Sequence, residues 1–228
     1  MSYNINNVLL IQRYFRKHLK KQRNIPLSLT VIKLYLDYVK ITLKGRNRDG
    51  RINSILDENT IWKYLVSNKN VKEIVKRYKK RCGFDILVKD IQFGLIPVNI
   101  KLTSMKTNDN VGNLSVCLYS YTNHEMKFTK NYNNGVSSKI LTEKLKNKEY
   151  NNTNRDYWFL VVNKNTKEIV INSIRGLSRL TKNMSNLPFQ ICWNKNKVFF
   201  HKTIESSVLQ FINVIDTKKT GEMNFSKK

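Results

Sequence analysis

The sequence predicts an α/β fold, and three observations carry that expectation. Before residue 80, apolar residues recur at helical spacing: Leu34, Tyr35, Tyr38 and Val39 in one segment, then Ile61, Leu65, Val71 and Ile74 in the next. The stretch Phe84 to Lys101, FDILVKDIQFGLIPVNIK, instead alternates with period two. Phe84, Ile86 and Val88 share one face against Asp85 and Lys89, and Ile96, Val98, Ile100 and Leu102 oppose Asn99, Lys101 and Thr103. Finally, Asp156 to Val162, DYWFLVV, is a continuous apolar run of the kind found in a central strand.

The elements follow in order. Residues 1–25 form a basic extension in which Val8, Ile11, Phe15 and Leu19 have helical spacing. Ile11, Gln12, Arg16 and Lys21 fit the pattern IQxxxRGxxx(R/K), with Lys17 in the glycine position. This resembles the IQ motif and implies a calmodulin-like protein as partner; a charged helix that packs on the body or touches phosphate is the other reading. Pro26 breaks the extension, and Leu27 to Leu43 reads as a core helix. In the loop KGRNRDGR, Arg46 and Arg48 are candidate nucleic-acid contacts, with a solvated turn as the alternative. Asp57 and Glu58 suit a helix N-terminus, and the helical period then continues through Tyr78 until Gly83 stops it.

Gly94 offers a turn within the alternating stretch. With the pairing centred near Gln92 and Phe93, Asp85 lies across from Asn99 to Lys101, so that an acid, an amide and a lysine converge. Residues 102–113 read as a polar loop near a substrate, with Lys106 and Asn108 as contacts. Leu114 to Tyr121 reads as a strand, with a buried helix as the alternative, and Ser137 to Glu149 as a helix with Leu141 and Leu145 inward. A turn at Lys164 to Lys167 leads to a strand at Glu168 to Asn172. In NLPFQICWNKNK, Phe189 and Trp193 read as core, while Gln190, Asn194 and Lys195 are candidates for base reading. The expected organisation is a main domain at 26–215 between the 1–25 extension and a basic tail at 216–228.

Charge narrows the function. Against 42 Lys and Arg there are 16 Asp and Glu, giving a formal net charge of +26, which favours a polyanionic partner. The chain has no alanine and is heavy in Lys, Asn and Ile, so coding bias accounts for part of the lysine excess. The acids are equally compatible with such a bias, yet they remain few. Cys82, Cys117 and Cys192 are widely spaced without a CxxC pair, which suggests neither a disulfide framework nor a zinc site. No apolar run suits a bilayer span or a secretory signal, so a soluble, intracellular protein without a membrane partner is expected. No GxxxxGK[ST] or GxSxG sequence is present, which argues against P-loop and serine-hydrolase chemistry.

The succession of a helix with an acid, a strand with Asp85, a turn, a strand with Asn99-Ile100-Lys101, then a helix and a buried strand resembles the PD-(D/E)XK nuclease superfamily, particularly type II restriction endonucleases. The resemblance runs from about Ile52 to Val162. It implies a restriction-endonuclease-like αβββαβ core with a mixed central sheet flanked by helices. It also implies a Mg2+ or Mn2+ cofactor and hydrolysis of phosphodiesters in double-stranded DNA. A homodimer is expected, because two related sites cut both strands of a palindrome. On the matching positions Asp85 is the principal metal ligand, Asn99 adds its carbonyl oxygen, Glu58 completes the shell, and Lys101 orients the attacking water. The chain departs from the pattern at Asn99, where the superfamily has Asp or Glu, so Glu58 or Asp90 would have to supply the missing charge. Asp90 also remains open as the first acid, since a β-bulge would shift the strand parity. The general style of the chain is similar to restriction-type nucleases of large DNA viruses, which implies a host cytoplasm or nucleus. A noncatalytic nucleic-acid-binding protein on the same scaffold is the alternative.

Overall fold

Helix α1 (Leu27–Val39) begins directly after Pro26 and ends before Lys40, which takes a left-handed φ of 48°, short of the expected Leu43. The computed structural model describes residues 25–43, 50–77, 83–111, 114–123, 138–150, 155–183 and 189–216. The IQ-like segment, Arg46, Arg48, Cys82 and the tail from 217 onward lie outside the described residues.

Helix α2 (Gly50–Ser67) starts before the Asp57–Glu58 pair, so these acids stand inside the helix rather than capping it. The long helical period expected through Tyr78 is interrupted. Asn68 accepts a hydrogen bond from the Val71 N–H at 3.1 Å through Oδ1, which caps a new short helix, α3 (Lys69–Ile74). The chain then extends into strand β1 (Val75–Arg77). β-branched Val75 tolerates either conformation, and pairing with the next strand decides it.

Strands β2 (Ile86–Asp90) and β3 (Gly94–Thr103) form the expected hairpin. Ile86 pairs with Val98 and Asp90 with Gly94, which centres the register on Gln92, and Gly94 has the positive φ of 70° that the turn requires. β3 then pairs in parallel with β5 (Trp158–Asn163), and β5 antiparallel with β6 (Ile169–Ser173), giving a mixed sheet in the order β1-β2-β3-β5-β6. The parallel step needs a long crossover. It contains α4 (Leu114–Tyr121), read from sequence as a strand, and α5 (Ser138–Lys146). The α4 run is apolar all round, with residues 116–121 all buried, so its period does not distinguish helix from strand.

A second sheet, in the order β4-β8-β7, is built from β4 (Asn108–Val111), β7 (Thr181–Lys182) and β8 (Phe189–Cys192). Part of the expected 102–113 loop is therefore a strand. Helix α6 (Ile204–Asp216), which is not among the expected elements, closes the described chain and turns a stripe of Ile204, Val208, Phe211 and Ile212 to the core.

Strand alternation splits the core into two layers. Ile86, Val88, Ile96, Val98, Ile100, Trp158, Leu160 and Val162 pack with Leu29, Ile32 and Leu36 of α1 and Ile61 and Leu65 of α2. Leu87, Phe159 and Val161 pack instead with Cys117 and Leu118 of α4, Leu141 and Leu145 of α5, and Phe211 of α6. The expected core residues Phe189 and Trp193 belong to that second layer. Among the described residues no helix is long and apolar enough to cross a membrane.

Asp90 explains how the hairpin is anchored. Its Oδ2 accepts from the Ser28 N–H at 3.0 Å and the Ser28 hydroxyl at 2.8 Å, while Oδ1 accepts from the N–H groups of Gln92 at 2.9 Å and Phe93 at 3.0 Å. One carboxylate thus holds both the hairpin turn and the first turn of α1. Burial pushes its pKa up, but the bonds from Ser28, Phe93 and Gln92 outweigh that and hold it below the ordinary carboxylate value. This contribution is present at neutral pH and is lost as pH falls below the unfolded value of 3.8 through the lower folded one. Asp90→Ala is expected to cost about 2–3 kcal/mol in urea denaturation at pH 7, from a lost cap and orphaned N–H groups.

Candidate active site

β3 is unlike its neighbours. On the layer side where β2 and β5 present Leu87, Phe159 and Val161, alternation makes β3 present Asn99, Lys101 and Thr103. A polar stripe therefore interrupts an apolar face next to the start of β2.

Asp85 stands at that start. The regular ladder begins one residue later, at Ile86 and Val98, and the Asp85 N–H donates to the Val98 carbonyl at 3.0 Å. Its Oδ2 then accepts from the Ile100 N–H at 2.7 Å, taking the place of a ladder carbonyl. The carboxylate is thus fixed between Asn99 and Lys101, the convergence expected from a pairing centre at Gln92. Burial, and then the charge of Glu58, push the Asp85 pKa up to about 6, with the Ile100 bond, Lys101 and Arg77 pulling the other way. Glu58 reaches this point from the interior of α2. One turn further along the same helix face, the Trp62 ring receives the Arg77 guanidinium at 5.9 Å.

Sequence reading missed several groups around the stripe. Tyr157, just before β5, donates its hydroxyl to the Gly83 carbonyl at 2.5 Å, and both Asp85 and Asn99 influence its titration. Burial pushes that phenol well above its usual range, so it remains a hydrogen-bond donor at neutral pH. Asp109, on β4, is raised by burial and pulled down by Thr103, Lys101, Trp193 and Lys164. Asp57 is only 3% exposed, and its Oδ2 lies 4.0 Å from the Lys164 ammonium. Lys101 thus acts on Asp85 and Asp109, and Lys164 on Asp109 and Asp57. No short sequence motif signals this alternation, because its members come from α2, the start of β2, β3, β4 and the turn after β5.

The remaining expected residues divide. Asp90 is brought nowhere near Asp85: five residues separate the two along an extended strand, about 16 Å at 3.3 Å per residue, and all four of its hydrogen bonds are structural. Its candidacy as first acid or compensating charge is corrected accordingly. Asn108 and Gln190 meet on the second sheet, the Asn108 side-chain amide donating to Gln190 Oε1 at 3.4 Å. Asn194 and Lys195 belong to a 3-10 turn (Trp193–Lys195), and Lys106 is exposed just before β4.

The donor set fits a hard divalent cation. Asp85 and Glu58 are two carboxylates whose mutual repulsion a cation relieves, and Asn99 Oδ1 is a buried amide oxygen with no hydrogen-bond partner. Among the described residues no group of three or more Asp, Glu, His or Cys forms a metal cage. Two carboxylates and an amide suffice for Mg2+, which retains waters and takes further ligands from a phosphate. A small cavity at the start of β5, lined in part by Phe93, Asp156, Trp158 and Arg175, is a weaker candidate. Asp156 is occupied by the N–H groups of Tyr157 at 2.8 Å and Arg175 at 3.3 Å.

The chain matches no protein-family model, and comparison with curated proteins gives no match.

One stability prediction arises from Asp85 itself. Between 3.8 and about 6 the folded state holds a proton that the unfolded state has released, so stability falls as pH rises through that window. Asp85→Asn keeps an oxygen for the Ile100 N–H and removes the penalty. Without metal, the variant is expected to be more stable than the parent at pH 7 by about 2 kcal/mol, with the difference vanishing near pH 4. Urea denaturation in chelator at the two pH values measures this; a variant less stable at pH 7 would contradict it.

Proposed function

We propose that the protein is a metal-dependent endodeoxyribonuclease that hydrolyses phosphodiester bonds in double-stranded DNA, site-specific in the manner of type II restriction endonucleases and acting as a homodimer. The observation that carries this reading is the Asp85 carboxylate locked onto the Ile100 N–H between Asn99 and Lys101, with Glu58 beside it. The element order also supports it: a mixed sheet flanked by helices, in which three antiparallel strands follow the helix with Glu58 and a helical crossover leads to a parallel strand, is compatible with the αβββαβ core that the resemblance implies. The net charge of +26 favours a polyphosphate substrate.

Asp85, Glu58 and the free oxygen of Asn99 would hold Mg2+ or Mn2+. When bound, such an ion polarises the scissile phosphate and makes water a better nucleophile. The chain's own groups do the rest. Lys101, anchored on a central strand, orients the attacking water and places positive charge where the phosphorane charge develops. Arg77, held against Trp62, adds a second cation on the Asp85 side. The rigid hairpin fixes these groups before substrate arrives.

Supercoiled plasmid incubated with the protein and Mg2+ is expected to be nicked and linearised, and chelator is expected to stop it. An intact plasmid at high protein concentration would contradict the reading. A second reading, favoured by Asn99 in place of an acid, is a noncatalytic DNA-binding protein on the same scaffold. DNA retardation without cleavage, together with no stabilisation by Mg2+, selects it.

A further inference from the structure

The β4-β8-β7 sheet has two unlike faces. Phe189 and Ile191 point into the core, and Asp109 points toward Lys101 and Thr103. Alternation sends Asn108, Asn110, Gln190 and Thr181 to the other face, where Asn108, Asn110 and Thr181 are exposed. The amides there are knitted together. Gln190 Nε2 donates to Asn110 Oδ1 at 3.0 Å, Asn183 Nδ2 donates to the same oxygen at 3.1 Å, and Asn108 Nδ2 donates to Gln190 Oε1 at 3.4 Å. In a chain with 42 Lys and Arg, this face carries no charge. The cations stand at its border instead: Lys106 and Arg179 are both exposed, two residues before the first residues of β4 and β7, at the same end of the sheet.

We infer that the solvent face of the β4-β8 ribbon reads base edges in the major groove of the DNA, with adenine preferred. A side-chain amide offers one donor and one acceptor in a plane, the pattern that matches adenine N7 and N6. Two paired strands have the width that the major groove admits, whereas the deep, narrow major groove of an RNA duplex excludes them. The Asn108–Gln190 and Gln190–Asn110 pairs lie at the wet surface, where such bonds contribute little, so they exchange readily for base contacts, while buried Asn183 holds Asn110 from behind. Lys106 and Arg179 would meet the flanking phosphates, which position without specifying. β4 ties this face to the cleavage site, because Asp109 on its reverse side interacts with Lys101. The inference rests on the reading of DNA as the partner, but not on cleavage.

The test is selection from a random 20-base-pair duplex library with the full chain in chelator, where no cutting occurs. The parent is expected to enrich a short motif containing A·T pairs. Gln190→Glu, nearly isosteric, is expected to move one position toward cytosine, because a carboxylate accepts from cytosine N4. Asn110→Ala is expected to lower the preference for the parental motif about ten- to a hundredfold. Should Gln190→Glu fail to fold by thermal melting, Asn108→Ala on the exposed edge strand carries the same test. Binding without any enriched motif, an unchanged motif in the folded variants, or preference for an RNA duplex would overturn base reading while leaving DNA cleavage standing. Absence of all DNA binding would remove both.

Discussion

Lys101→Ala is expected to lower Mg2+-dependent plasmid cleavage by about 10^2- to 10^3-fold, the usual effect of deleting one group that faces transition-state charge. Asp85→Ala is expected to do at least as much, since it removes the proposed principal ligand together with the bond to the Ile100 N–H. The two differ in a second readout. Lys101→Ala leaves the carboxylates in place and removes a neighbouring cation, so Mg2+ should still raise the melting temperature; Asp85→Ala should abolish that rise. Plasmid assays and thermal melts on the same preparations separate the roles. Cleavage at parental rates in both variants would remove the hairpin as the site.

Asn99→Asp is the second large effect, and it runs toward gain. The Asn99 oxygen is buried and without a hydrogen-bond partner, close to a carboxylate already raised to about 6 by burial and Glu58. A third negative charge there is costly in the absence of metal and favourable in its presence. The variant should therefore melt lower than the parent in chelator, bind Mg2+ about tenfold or more tightly, and cut plasmid faster at limiting Mg2+. Calorimetric titration with Mg2+ supplies the affinity. If the substitution lowers stability without changing metal affinity, Asn99 does not face the ion.

The hairpin was the most legible part of this molecule, because two long period-two runs flank a glycine that must adopt positive φ. The register centred on Gln92 follows, and with it the meeting of Asp85 with Asn99 and Lys101. Legibility failed where a local pattern admits two answers. Within Leu114 to Tyr121 residues 116–121 are all buried, and a short apolar run without alternation suits either a strand or a helix; the crossover between parallel β3 and β5 makes it a helix. Val75 to Arg77 continues the helical period of α3 but is captured as a third strand by β2. Asp90 needs a β-bulge to qualify as a site acid on sequence alone, and Ser28, 62 residues away, makes it a helix anchor instead. Asp109, Tyr157 and Lys164 carry no motif at all; Asp109 meets Lys101 and Tyr157 meets Asp85 only through the packing of β4 and β5, and Lys164 joins them through Asp109.

Crystals of the full chain soaked in Mn2+ test the central claim most directly, because anomalous scattering locates that ion without prior assumptions. An anomalous peak is expected about 2.0–2.2 Å from the Asp85 carboxylate, an oxygen-ligand distance, with Asn99 and Glu58 around it, directly or through water. A peak at Asp90 or Asp156 with nothing at Asp85, under conditions where Mn2+ supports cleavage, would contradict it.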